Sequence, residues 1–479
     1  MRRKRNSILK NSLFLGTAQA AEGILAFALV VILARYLGKV NYGRYAFAFA
    51  FASLFSFLTD FGLSQILIRE IAKDRSHLRD YFPSSLILQI ILSLVGFFFI
   101  ALGINIMGYP PTTVKVVYIA GLFIVFNGMT NCWRALFIAY EKMEYEALLA
   151  VIGKVVPLLG ALIFIYFDRG LLTLASVPLW GAIAGLFLST HLVFKKFIPV
   201  KLNWKINYSL LRKLLAMAFP FALLTIFVMI YFQIDSVMLS IFKGDAAVGV
   251  YNVAYKLVFA LMFVSTGISA AIFPVISRIY VNQRKAALKV YGSSFKNLLA
   301  LGLPLALGGA IFAPRIISLL YGSAYQESVL ILQVIIWVLP FMFLTNLMGR
   351  VLGAINQQSL VAWIAGIGAV INVTLNLILI PTYSFVGAAI ATIITEAVIL
   401  VFQYHFIGKY LGRVPLFSSL AKIIPANLFL AIGAFYLRGL GLTLSISLAG
   451  TGYFVILYLT KFFLPEELES LKGLILGKS

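Results

Sequence analysis

Apolar residues in this chain neither alternate nor gather on one helical face. They run in long stretches separated by short polar connections. A bilayer-spanning helix needs about 20 mostly apolar residues. About fourteen stretches reach that length: 12–34, 45–67, 82–107, 114–139, 147–167, 171–194, 214–242, 246–268, 292–312, 326–354, 359–380, 384–407, 420–438 and 441–463. The pattern predicts an all-α, polytopic membrane protein. The connections are too short for a soluble domain. The first stretch lacks a small-residue cleavage site with a polar start behind it, so it reads as a span rather than a signal peptide.

The stretches repeat. Gly38–Tyr45 (GKVNYGRY) returns as Gly244–Tyr251 (GDAAVGVY). Both follow an odd-numbered span and open the next. Arg134–Leu136 (RAL), ending span four, returns at nearly the same offset as Arg350–Leu352 (RVL), ending span ten. Each leads into a polar turn, Tyr140–Lys142 (YEK) and Asn356–Gln358 (NQQ). Spans 1–6 therefore correspond to spans 7–12 in the same orientation, as parallel repeats with an even number of spans must. The expected organisation is a six-helix bundle over 1–194, a basic cytoplasmic linker over 195–213 and a second six-helix bundle over 214–407. Two further spans and a cytoplasmic tail occupy 408–479. Two such halves imply a cavity between them and alternating access by rocking. Pro157, Pro178, Pro220, Pro274, Pro304 and Pro340 fall inside spans, where they either kink helices for this motion or serve ordinary packing.

Composition adds an orientation. The chain is 62% hydrophobic and 11% charged, against about 25% charged for a soluble domain. Its net charge is +23. The location of that charge excludes nucleic acid as a partner. Lys and Arg gather in Arg2–Arg5, Arg69–Arg79, Lys195–Lys213, Arg278–Lys289, Lys409–Lys422 and beyond Lys461. The even-numbered connections and the termini hold roughly 26 of them and the odd-numbered ones roughly 8, the positive-inside bias. It predicts a cell inner or plasma membrane protein with both termini cytoplasmic. Anionic membrane lipids suit the same charges. In the linker, Trp204 and Tyr208 between Lys residues suit either a segment on the membrane surface or a solvated connection. The single cysteine, Cys132, reads as a small buried apolar side chain.

A charge at the centre of a membrane helix costs about 2.5–3.5 kcal/mol on insertion scales, so the few inside the spans carry information. Glu22 is near the middle of span one, Lys154 two turns into span five, and Asp235 in the outer half of span seven beside Gln233. Glu396 is near the middle of span twelve. Lys256 is about ten residues into span eight, roughly 15 Å deep by the helical rise. It either pairs with an acid, Asp235 or Glu396, or faces the cavity. Arg134 and Arg350, one turn from the cytoplasmic ends of their spans, either snorkel or flank the inward mouth as a pair suited to a phosphate. Glu22 and Glu396 either carry a proton or cation or make structural hydrogen bonds. Asp60 is expected to pair with Arg69. His191 and His405 read as interfacial.

Catalytic signals are missing: there is no zinc-protease motif and no nucleophile elbow. The tail Gly473–Ser479 (GLILGKS) is one residue short of a phosphate loop, and no helix follows it to supply amide donors. No enzyme activity, metal or cofactor is expected.

Ordered motifs along the whole chain resemble a known family. They are Asn11–Gly16 (NSLFLG), Leu33–Tyr45 (LARYLGKVNYGRY), Asp60–Leu63 (DFGL), Arg69–Ala72 (REIA), Asp235–Leu239 (DSVML) and Val248–Leu257 (VGVYNVAYKL). The chain looks like the polysaccharide biosynthesis proteins, the Wzx-type flippases of the multidrug/oligosaccharidyl-lipid/polysaccharide exporter superfamily. That resemblance implies a MATE-like fold and a polyprenyl-pyrophosphate-linked oligosaccharide as substrate, moved outward for O-antigen, capsule, exopolysaccharide or glycoprotein assembly. A polysaccharide polymerase and glycosyltransferases would be its partners. Lys256, Arg134, Arg350 and Lys154 are the cations that could meet the pyrophosphate. Glu22, Asp235, Gln233 and Glu396 are the polar or ion-coupling candidates. The alternatives are a MATE-type multidrug or cation antiporter, which needs an acidic cavity, and a lipid II flippase, for which more Arg is expected in the first spans.

Overall fold

The computed structural model of the protein describes residues 2–196, 202–414, 416–460 and 462. The truncated phosphate-loop sequence at 473–479 lies outside the described residues, as do 197–201 of the linker and the side chains of Arg2–Arg5.

The described residues form sixteen α-helices and no strand. The first helices are α1 (Arg2–Leu54), α2 (Ser56–Asp60), α3 (Leu63–Lys73), α4 (Leu78–Ile106), α5 (Pro111–Ala139), α6 (Met143–Tyr166) and α7 (Leu171–Lys196). Then follow α8 (Tyr208–Lys243), α9 (Asp245–Ala260), α10 (Met262–Ile279), α11 (Arg284–Tyr321), α12 (Ser328–Ile335) and α13 (Val338–Ala354). The last are α14 (Gln358–Tyr410), α15 (Leu416–Tyr436) and α16 (Leu442–Leu459).

Among the described residues, ten helices are long and apolar enough to cross a membrane, or eleven if the bent pair α12 and α13 counts as one span. Breaks explain most of the difference from the fourteen hydropathic stretches, and the rest is α15, of which the described apolar part, Ile423–Tyr436, is shorter than a span. Helices α1 and α14 each run 53 residues. At about 1.5 Å per residue, that is roughly 80 Å, against a hydrocarbon core of about 30 Å. Each therefore holds two spans, joined at Gly38 (φ 69°, ψ 169°) and at Ser384 (φ 51°, ψ −135°). At the second joint the chain doubles back: a Cβ on Gly387 would lie 2.3 Å from the carbonyl oxygen of Leu379. The expected span 45–67 is interrupted at Phe55 and again at Phe61 and Gly62, which both have positive φ. The expected span 246–268 stops short of the helical end, because α10 continues to Ile279 beyond the hydropathic boundary.

Backbone geometry supports the repeat. Residues with positive φ occur at Gly38 and Gly244, Gly108 and Gly322, Glu141 and Asn356, and Asp168 and Ser384. The offset within each pair is nearly constant, so the connections of the first six spans recur in the second six.

Packing divides the described chain along other lines. One compact unit holds 1–263 and 362–391, the other 264–361 and 392–479. In the first unit α1 packs along α9, α6, α8 and α5, and α5 along α7. An apolar cluster in this unit joins Leu67, Phe82, Trp133, Phe137 and Leu214. Asn203 of the linker is tied down here. The Asn203 amide N–H donates to the Arg79 carbonyl at 3.0 Å, and its Nδ2 donates to Asp80 Oδ1 at 2.9 Å. In the second unit α11 packs on α13, α15 and α16, and the Tyr453 hydroxyl donates to the Ala300 carbonyl at 2.7 Å.

The contact between α1 and α9 joins the two copies of the repeat motif. A Cβ on Gly43 would lie 1.7 Å from the Asp245 carbonyl oxygen, and one on Gly249 2.0 Å from that of Lys39. Only glycine permits this reciprocal approach. Arg44 Nε donates to Asp245 Oδ2 at 3.1 Å beside it.

Candidate functional site

The charges inside the first unit fall into two groups. The first surrounds a polar cavity of about 60 Å³ between α1, α5, α6 and α7, lined by Glu22, Asn127, Thr130, Arg134 and Lys154. Arg134 projects from α5 to the first turn of α6. Its Nε lies 3.0 Å from both carboxylate oxygens of Glu146, and its Nη2 donates to Oε1 as well. The two side chains are 28% and 12% exposed. This pairing occupies the guanidinium. Two turns further along α6, Lys154 Nζ lies 3.5 Å from Glu22 Oε1 of α1.

Lys256 is half-buried. Neither acid considered as its partner takes that part: among the described residues Lys256 has no ion pair, and its ammonium lies 5.9 Å from the centre of the Tyr255 ring. Asp235 is buried on α8 and already held. Tyr251 donates to its Oδ2 at 2.8 Å, and Asn376 Nδ2 donates to its Oδ1 at 2.6 Å. The same Nδ2 lies 3.0 Å from Asn372 Oδ1. The Asn376 Oδ1 and Asn372 Nδ2 atoms are buried without a hydrogen-bond partner. Gln233, just before Asp235 on α8, is half-buried.

In the second unit, Glu396 is buried on α14 and accepts a hydrogen bond from the Thr345 hydroxyl of α13. Arg350, on the same helix as Thr345, is half-buried and makes no ion pair among the described residues. The two arginines that match in the repeat thus differ: Arg134 is paired, Arg350 is not. Asp60 is held by the Ser64 hydroxyl at 2.6 Å, while Arg69 binds Glu70 at 2.9 Å, so the expected Asp60–Arg69 pair does not form. His191 lines an open groove along α7 with Phe187, Phe194 and Lys195.

Sequence reasoning does not single out the partners. Glu146 looks like an ordinary helix-start acid, although its place one turn into α6 faces the end of α5. Asn372 and Asn376 stand at i and i+4 in an apolar span, a spacing that puts both on one helix face. That spacing is the signal that points to them.

The sequence matches the family described as "Polysaccharide biosynthesis protein" over residues 8–280. The chain belongs to the polysaccharide biosynthesis protein family. A MatE family match covers residues 220–378. Family relatives include a membrane protein of Methanocaldococcus jannaschii, 26% identical over 91% of this chain and 92% of its own length. Another is named "Probable low-salt glycan biosynthesis flippase Agl15" of Haloferax volcanii, 24% identical over 88% of each chain. A third is the capsular polysaccharide biosynthesis protein CapF of Staphylococcus aureus, 23% identical over 83% of this chain and 99% of its own. Among solved structures, the fold is shared with the lipid II flippase MurJ in an inward closed conformation (TM-score 0.76, 19% identity, 93% of this chain and 97% of that one). It is also shared with an inward-facing multidrug resistance MATE transporter (TM-score 0.68, 16% identity, 80% and 93%). This family member is therefore a multi-pass membrane protein with a MATE-like fold.

Proposed function

We propose that the protein is a flippase that carries a polyprenyl-pyrophosphate-linked oligosaccharide from the cytoplasmic to the outer leaflet by alternating access, for surface polysaccharide or glycan assembly. Family membership and the relative named as a glycan biosynthesis flippase support the class. The observation that carries the substrate is Lys256: a half-buried ammonium deep in a span, without an acid partner among the described residues. A membrane protein retains such a cation only where water or an anion offsets its desolvation. The pyrophosphate of a lipid-linked sugar supplies that anion, while its polyprenyl tail stays in lipid. A multidrug-cation antiporter would need the opposite charge at this place. The fold shared with MurJ leaves a lipid II flippase as the alternative.

The positive-inside bias supports cytoplasmic termini in the cell membrane. An anion moving outward from a negative interior gains about 2.3 kcal/mol per charge per 100 mV. Asp235, caged by Tyr251 and Asn376, is the position we assign to a coupling proton or cation. Arg134 is assigned to the site wall rather than to the substrate, because Glu146 already takes its donors. A polysaccharide polymerase and glycosyltransferases are the partners that would take up and supply such a substrate.

The test is complementation of a strain lacking its own polysaccharide flippase. Lys256→Ala should insert at normal levels and abolish surface polysaccharide, with Lys256→Arg retaining part of it. Full export by Lys256→Ala would remove the basis for this substrate.

A further inference from the structure

The two acid–base pairs beside the polar cavity are built differently. Arg134 and Glu146 meet in multiple charge-assisted hydrogen bonds, with the carboxylate mostly shielded. Lys154 and Glu22 stand 3.5 Å apart, each 35% exposed. That is longer than the 2.7–2.9 Å or so of a charge-assisted hydrogen bond, and wet pairs of this kind are weak. The first pair is a fixture, whereas the second can be parted at little cost.

Glu22 also sits where an incoming anion must contend with it. It lines one cavity with Arg134 and Lys154, and its Oε1 stands 3.5 Å from Lys154 Nζ. With the site empty, the Glu22 carboxylate offsets the Lys154 ammonium beside it. A phosphate reaching Lys154 must displace that carboxylate and then remain near its charge.

We propose that Glu22 is the resident counter-ion of the anion site. It occupies Lys154 until a phosphate group displaces it, and its repulsion keeps the bound anion from being held too tightly to leave. The inference rests on the flippase reading and adds a residue that sets affinity by opposing the substrate. Glu22 acts through Lys154 and is a positioning residue, not a ligand of the substrate.

The test uses the full-length protein in detergent and three probes that share one tail: farnesyl pyrophosphate, farnesyl monophosphate and farnesol. Glu22→Gln should bind the pyrophosphate about tenfold tighter than the parent, equivalent to about 1.4 kcal/mol. The gain should be smaller for the monophosphate and absent for farnesol. A merely structural role for Glu22 would not scale with probe charge, so an equal change for all three probes overturns the proposal, as does an unchanged or weaker pyrophosphate affinity. Glu22→Met removes the same charge with a similar side-chain length and serves if the Gln variant does not purify folded. Lys154→Gln and Lys256→Gln separate the two levels of the argument. If the parent binds the pyrophosphate no better than farnesol and neither Lys change matters, the anion site itself falls and this proposal with it. If both Lys changes weaken pyrophosphate binding while Glu22→Gln leaves it unchanged, only the role of Glu22 falls.

Discussion

Charged side chains inside a membrane are few because each must be offset, and here the offset decides what each can do. Arg134 and Glu146 offset one another within α5 and α6. Removing one partner of a buried ion pair costs about 3–5 kcal/mol, whereas replacing both by apolar residues is often neutral. Arg134→Ala should therefore lower thermal stability in detergent, and Arg134→Met with Glu146→Leu should recover most of it. If Arg134→Ala instead melts like the parent and loses export, the arginine acts on the substrate. Sequence alone marks Arg134, Lys154, Lys256, Glu22 and Asp235 as unusual, because a charge in an apolar stretch is visible without a fold. It does not tell which meets which. Glu22 and Lys154 lie on α1 and α6, far apart along the chain, and Asp235 accepts hydrogen bonds from Tyr251 and Asn376 rather than pairing with Lys256. Partners depend on which helix faces meet, and nothing local records that.

Among the elements, α1 and α9 carry the clearest link between sequence and packing. The repeated motif has one glycine at each helix joint and a second at the crossing. Gly38 and Gly244 share positive φ, and Gly43 and Gly249 bring two backbones into contact. Gly249→Leu would place its Cβ about where the Lys39 carbonyl oxygen now lies, and overpacking of this kind costs about 1–3 kcal/mol or more. The variant should lose thermal stability and surface polysaccharide together. Gly433→Ala on α15, where nothing lies within 4 Å, should leave both unchanged. Equal tolerance of the two changes would mean that α1 and α9 can separate freely. The repeat is legible as a pattern of letters. Its meaning as a reciprocal contact is not, since Gly and Tyr are frequent at membrane interfaces for other reasons.

For the whole molecule, the charge bias makes an orientation prediction that labelling can check. Cys132 is the single cysteine and is buried, so Cys132→Ala provides a cysteine-free background. In that background Lys115→Cys, in the first turns of α5, should react with a membrane-impermeant maleimide in intact cells. Lys205→Cys, in the linker, should react only after lysis. The reverse pattern would invert the topology and put the basic connections outside.

Span positions, orientation bias, the parallel repeat and the family were all present in the sequence. Hydropathy and charge act segment by segment as a chain enters a bilayer, so they are local properties. The breaks within α1, α14 and the α12–α13 pair, the pairing of Arg134 with Glu146, the loose contact of Glu22 with Lys154 and the lack of an acid beside Lys256 among the described residues needed the tertiary structure. A membrane helix is apolar on nearly every side, so no amphipathic period reveals which face packs inward. Helix association in lipid instead rests on close fit and scattered polar contacts, and those exist only once distant segments have been brought side by side.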